Sequence, residues 1–154
     1  MYIFDTSPLI DLFRHYYPDL FPTLWDNFNG LVDNGSIIST RENLREINVR
    51  TDDLQEWAND NGNIFEEISI DEGKFIRQIY GVPLFQHNIQ QQKLLKGGLN
   101  ADPFVIAKAA VRGAHVVTGE VFKPNSAKIP NICQHFSVPC LNLKQFMEQE
   151  GWRF

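Results

Sequence analysis

Three acidic residues stand where short apolar runs meet loops or helix starts. They are Asp5 in Tyr2-Ile3-Phe4-Asp5-Thr6-Ser7-Pro8, Asp102 in Asn100-Ala101-Asp102-Pro103, and Glu120 in Val116-Val117-Thr118-Gly119-Glu120. In open α/β sheets the edge at the carboxyl ends of the strands is where ligands bind. Carboxylates gathered at such an edge usually hold a divalent cation. Glu42 and Glu46 lie one helical turn apart and share a face, so either can serve the same edge. Four carboxylates crowded together repel one another unless a cation neutralises them. An all-oxygen set with no histidine at the matching positions favours Mg²⁺ or Mn²⁺ over zinc.

The elements that must position these acids alternate. Residues 2–4 read as a short apolar strand; Ser7-Pro8 then offers a helix N-cap with proline at the first helical position, and Leu9, Ile10, Leu12 and Phe13 continue the helix. Gly35 precedes a second strand at 36–39. Leu44 and Ile47 among charges predict an amphipathic helix over 40–50, and 52–59 reads as helix too. Asn61-Gly62-Asn63 breaks the pattern, 64–70 fits strand or loop, and 71–80 reads as helix ended by Gly81-Val82-Pro83. A polar helical stretch over 86–96 leads to a turn at Gly97-Gly98. Asp102-Pro103 repeats the N-cap and proline device before an Ala-rich helix to Val111, with a strand at 114–117. An edge strand at 139–141 and a helix over 142–149 complete the chain. Strands separated by helices predict a three-layer α/β/α sandwich on a mainly parallel central sheet, in which strand ends and helix starts share one edge.

The chain has 154 residues, one domain by length, enough to bury roughly two thirds of its unfolded surface without staples. Hydrophobic residues at 43% and charged residues at 21% describe a globular protein rather than a disordered one. No apolar run is long enough to span a bilayer and the N-terminus lacks a signal pattern, so the expected location is cytoplasmic. A net charge of −5 argues against wholesale electrostatic attraction to nucleic acid. It does not exclude a nuclease, because a carboxylate-built metal site is itself negative and its cation inverts the local field. Cys133 and Cys140, with His135 between them, match no zinc spacing and read as two buried free thiols. His15, His87, His115 and His135 form no metal spacing either.

The order of an aspartate after strand one, a glutamate on the next strand's helix, an aspartate opening a late Ala-rich helix, and an acid two residues past a strand-closing threonine resembles the PIN-domain superfamily. Tyr16-Tyr17-Pro18 with Phe21-Pro22 and Trp25, Ala101-Asp102-Pro103-Phe104 with Ile106-Ala107, and Ile129-Pro130-Asn131-Ile132-Cys133 with Val138-Pro139-Cys140 are similar to a bacterial subgroup of PIN-like proteins. The resemblance spans nearly the whole chain. It implies a single PIN-like nuclease domain, a metal-dependent endoribonuclease of the VapC-like toxin type paired with an antitoxin, and a homodimer. It also implies a metal site lined by Asp5, Glu46, Asp102 and Glu120, with Thr6 and Thr118 orienting carboxylates or water and Glu42 in support. The fourth acid in much of the superfamily is aspartate, so Glu120 departs from the pattern.

Each residue has a plainer reading. Asp102 before Pro103 is a natural N-cap; Glu42 and Glu46 can pair with Arg41, Arg45 or Arg50 on the surface; Glu120 fits a solvated loop nearly as well as a metal shell. Arg14, Lys123 and Lys128 are candidates for guiding phosphates, with scattered surface cations as the alternative. The aromatic run Phe13, Tyr16, Tyr17, Phe21, Trp25 and Phe28 reads first as core, and otherwise as a base-stacking or helix-seating surface. A phosphoacceptor receiver domain shares the sheet but places adjacent acids after strand one, whereas Asp5 stands between Phe4 and Thr6. A non-catalytic PIN-like protein-binding module is the remaining alternative.

Overall fold

The computed structural model describes residues 1–88 and 100–154. Beyond Asn88, the helix expected over 86–96 and the turn at Gly97-Gly98 fall outside the described residues.

Five short strands, β1 (Tyr2–Phe4), β2 (Ile37–Thr40), β3 (Phe65–Glu66), β4 (His115–Val117) and β5 (Cys140–Leu141), form an all-parallel sheet in the order β3-β2-β1-β4-β5. Side chains alternate between two cores with period two. Tyr2 and Phe4 enter one core while Ile3 enters the other, and Ile37 and Ile38 of β2 and Val117 and Val116 of β4 divide the same way. A sheet buried on both faces needs helices on both, and the fold is accordingly a three-layer α/β/α sandwich.

The first layer holds α1 (Thr6–His15), α2 (Pro22–Asp33), α3 (Arg41–Asn48) and α4 (Asp53–Asp60), which bury Leu9, Leu12, Trp25, Phe28, Ile47 and Leu54. The second holds α5 (Ile70–Tyr80), α6 (Asp102–Arg112) and α7 (Ile129–His135), which bury Ile79, Val105, Ile106, Ala109 and Ile132. The last helix, α8 (Leu143–Gln149), returns to the first layer through Phe146 and starts at a capping box between Asn142 and Gln145.

Two helices go beyond the sequence expectation: α2 and α7. In α2 the buried Trp25 and Phe28 outweigh the weak helix propensity of Asn27, Asn29 and Gly30, so tertiary packing decides the segment. Most of the aromatic run is core as read, although Tyr17 and Phe21 are exposed. Two caps are corrected. The N-cap of α1 is Asp5, not Ser7; Pro8 still lies in the first turn, where its missing N–H has no intrahelical partner to lose. Ala101, not Asp102, is the N-cap of α6, and Asp102 is its first helical residue with no side-chain cap bond. Gly113 ends α6 in the left-handed region at φ 64°, leaving one residue before β4. No helix among the described residues is long and apolar enough to cross a membrane.

Candidate functional site

The chain runs from β1 outward to β2 and β3, then returns to the other side of β1 for β4 and β5. The direction therefore reverses between β1 and β4, the place where open parallel sheets hold ligands. Asp5 and Thr118 are the residues that follow these two strands. Register brings them together: Phe4 pairs with Val117, and the Asp5 N–H donates to the Val117 carbonyl at 2.9 Å.

Asp5 is buried, and its carboxylate is held by three neutral donors. Thr118 Oγ1 donates to Oδ2 at 3.0 Å, Ser7 Oγ to the same oxygen at 3.3 Å, and Asn43 Nδ2 to Oδ1 at 3.3 Å. Asn43 is itself fixed by the start of α3. Its backbone N–H donates to Thr40 Oγ1 at 3.2 Å while the Thr40 hydroxyl donates to Asn43 Oδ1 at 2.6 Å. This reciprocal cap leaves the amide nitrogen facing Asp5 Oδ1 and Thr6 Oγ1, the latter at 3.0 Å. Asn43→Ala removes this hub from a fully buried position, and a loss of about 1–3 kcal/mol of stability is expected in chemical unfolding. A change within about 0.5 kcal/mol, the size expected of an incidental surface substitution, would show that the hub does not hold the edge together.

Glu46 follows one turn later on α3. It is buried, and its Oε1 accepts from the Ala101 N–H at 3.0 Å, tying α3 to the start of α6. Asp102, the next residue, is fully buried. Its Oδ2 accepts from Asn88 Nδ2 at 3.0 Å, and its N–H donates to Asn100 Oδ1 at 3.2 Å. Asn88 also donates to the Ala127 carbonyl at 3.2 Å and accepts from Asn100 Nδ2 at 2.9 Å and the Tyr80 hydroxyl at 3.5 Å. Burial, and then the charge of Asp102, push the Tyr80 hydroxyl up to about 12, so it stays a donor. On the far side, the Glu120 N–H donates to Thr118 Oγ1 at 3.1 Å. Glu120 Oε2 accepts from the Ile129 N–H at 2.7 Å at the start of α7.

Asp5, Glu46 and Glu120 line one cleft of about 210 Å³ with Thr6, Ser7 and Ile10. Asp102 is not part of that lining and meets it through Ala101 and Glu46. Glu42 lies outside it too, with Oε1 3.9 Å from Arg45 and Oε2 buried without a hydrogen-bond partner among the described residues, so it is not the plain surface pair of its other reading. Arg14 lines a separate pocket of about 330 Å³ with Arg50 and Asp52, sharing only the Ile10 wall with the cleft. Lys123 is exposed on the loop after Glu120, and Lys128 precedes α7 as its N-cap residue. Both cysteines are free; Cys133 is buried and Cys140 only half-buried.

In donor chemistry the cleft suits a hard cation, because it offers carboxylate and hydroxyl oxygens alone. Its spacing is not a finished shell: among the described residues no group of three or more His, Cys, Asp or Glu side chains is arranged to hold a metal ion. The carboxylates instead take hydrogen bonds from the protein.

Sequence reasoning missed Asn43, Ser7 and Asn88. The Thr40-x-x-Asn43 spacing is a capping signal that could have found the first. Asn88 meets partners 14 and 39 residues away, for which no local pattern exists.

Over residues 2–154 the sequence matches the family described as "Domain of unknown function (DUF4411)". No curated protein and no solved structure matches it.

Proposed function

Because the chain belongs to the DUF4411 family, whose description assigns no activity, we propose a function from the site itself: a metal-dependent endoribonuclease that hydrolyses RNA phosphodiester bonds. The observation that carries this reading is the cleft at the point of strand reversal, where Asp5, Glu46 and Glu120 converge from three separate elements. The PIN-like order of these acids supports the same chemistry. It also supports a toxin of an antitoxin-paired system, acting in the cytoplasm and paired as a homodimer.

Asp5, Glu46 and Glu120 would hold Mg²⁺ or Mn²⁺, with Asp102 behind them. When bound, the cation supplies a polarised phosphate, an acidified water and a stabilised leaving oxygen. The chain's own part is positioning. Thr118, Ser7 and Asn43 set the direction of the Asp5 carboxylate, Ala101 sets that of Glu46, and Asn88 that of Asp102. The PIN-like resemblance makes water the nucleophile and the 3′ oxygen the leaving group, so in-line attack leaves a 5′-phosphate and a 3′-hydroxyl.

A second reading, a non-catalytic PIN-like module that binds protein, is favoured by the hydrogen bonds that already occupy these carboxylates and by the open spacing between them. Incubating the purified chain with structured and single-stranded RNA in Mg²⁺, Mn²⁺ or EDTA, and mapping the new ends, separates the two. Metal-dependent cuts ending in 5′-phosphate are expected. Ends bearing a 2′,3′-cyclic phosphate would rule out the hydrolytic mechanism, and metal binding without any cut, beside a stable protein complex, would favour the module.

A further inference from the structure

A larger groove of about 550 Å³ adjoins the carboxylate cleft, shares Glu120 with it, and lies over the carboxyl ends of β4 and β5. Its rim is apolar and open to solvent: Val121 is 78% exposed and Phe122 49% exposed. The loop carrying them is pinned at both ends. The Gly119 N–H donates to Ser7 Oγ at 2.9 Å, so close that a Cβ at residue 119 would lie 3.0 Å from that oxygen. Asn131 takes the Lys123 N–H at 3.2 Å and donates to the Lys123 carbonyl at 2.6 Å. A pinned loop that holds an aromatic ring in water has forgone its burial, and it presents that ring ready for a partner.

The groove's charge narrows the partner. Asp11, Glu120 and Lys144 line it, two acids against one cation, so it does not suit a phosphate, while its apolar walls from Val121, Phe122, Pro130 and Leu143 suit a neutral, flat group. Single-stranded nucleic acid offers such groups, since every base has a π-face that stacks on an aromatic side chain. Resting on the nuclease reading above, we propose that this groove takes a nucleobase of single-stranded RNA, stacked on Phe122, from a nucleotide flanking the phosphate in the carboxylate cleft. Stacking tolerates any base, so the groove grips the strand without fixing its sequence.

The test titrates the full chain with short labelled single-stranded RNAs, intact or abasic at one position in turn, by fluorescence anisotropy in Ca²⁺. Phe122→Ala is expected to weaken binding by about five- to a hundredfold, and Phe122→Trp to keep it. One abasic position should cost the wild type the same factor and cost Phe122→Ala nothing further, the non-additivity of two groups in contact. Because Phe122 is half exposed, circular dichroism should show both variants folded. Additive losses, or wild-type affinity in Phe122→Ala, would overturn the proposal. So would a Phe122→Ala variant that binds RNA normally but loses self-association in sedimentation, which would make the rim a protein contact. A wild type that cuts RNA yet ignores Phe122 sinks only the groove; one that neither binds nor cuts sinks the nuclease reading with it.

Discussion

On the nuclease reading, Asp5→Asn should lower RNA cleavage by about a hundred- to a thousandfold while leaving the fold intact, the size of loss expected when one preorganised charge contact leaves a reactive site. The second half of that expectation comes from the donors around Asp5. Ser7 and Thr118 present hydroxyls, which can rotate to accept from an amide nitrogen. Asn43 presents an N–H that needs an oxygen. An asparagine at position 5 satisfies all three by turning its oxygen to Asn43 and its nitrogen to the hydroxyls. Charge is removed and shape is kept. Asp102→Asn should act in the same direction, since Asn88 can donate to either carbonyl. Cleavage rates measured beside unfolding curves check both, and full activity in both variants would sink the site.

Lys108→Met should be the most destabilising single change in the second layer. The ammonium is 1% exposed and 2.7 Å from Glu72 Oε1, with Glu66 Oε1 at 3.7 Å and the Glu67 carbonyl at 3.3 Å. Removing it strands the buried Glu72 carboxylate between α5 and α6, a loss of about 3–5 kcal/mol, or a fall in melting temperature of about 10 °C. Replacing both partners, Lys108→Met with Glu72→Leu, should recover most of it, because an apolar pair carries no stranded charge. The pH dependence should change sign. Burial pushes the Glu72 carboxyl up, but the hydrogen bonds from Lys108 and Ser69, with the charges of Lys108 and Arg112, outweigh it and hold the group below its usual 4.5. A depressed carboxyl contributes stability that is fully present above 4.5 and is lost as the pH falls through the folded-state value. Without the ammonium, burial dominates and the Glu72 contribution should decline as the pH rises through the raised value instead. Urea unfolding across the acid range reads both slopes; a Lys108→Met curve parallel to the wild type would contradict the ion pair's role.

Much of the fold was legible because strands and acids obey local rules. The short runs at 2–4 and 114–117, rich in aromatic and β-branched residues and bounded by breakers, read as buried strands, and the acids that follow them mark the edge where strand ends meet helix starts. What stayed hidden depends on distant partners. Helix α2 forms because Trp25 and Phe28 find a core built from other elements, and α7 because Ile129 and Ile132 do. Likewise β3 could not be told from loop in a two-residue run. The capping explanation of Asp102 was reasonable from Asp102-Pro103 alone, yet the helix starts one residue early and its carboxylate turns inward to Asn88 instead. Glu120 sits half-buried on a loop, where it lines the cleft and holds the start of α7, a bond that no local pattern announces.

The hydrogen bond between Thr118 and Asp5 joins residues 113 positions apart in the chain. At the ribosome's pace of about 5–20 residues per second, Asp5 waits roughly 6–23 s after its own synthesis before Thr118 exists to orient it. Until β4 is made and slides in beside β1, the carboxylates have no common cleft. Synthesis therefore acts as a timer: a partly made chain has no assembled cleft, and whatever chemistry the finished cleft performs can begin only after those seconds.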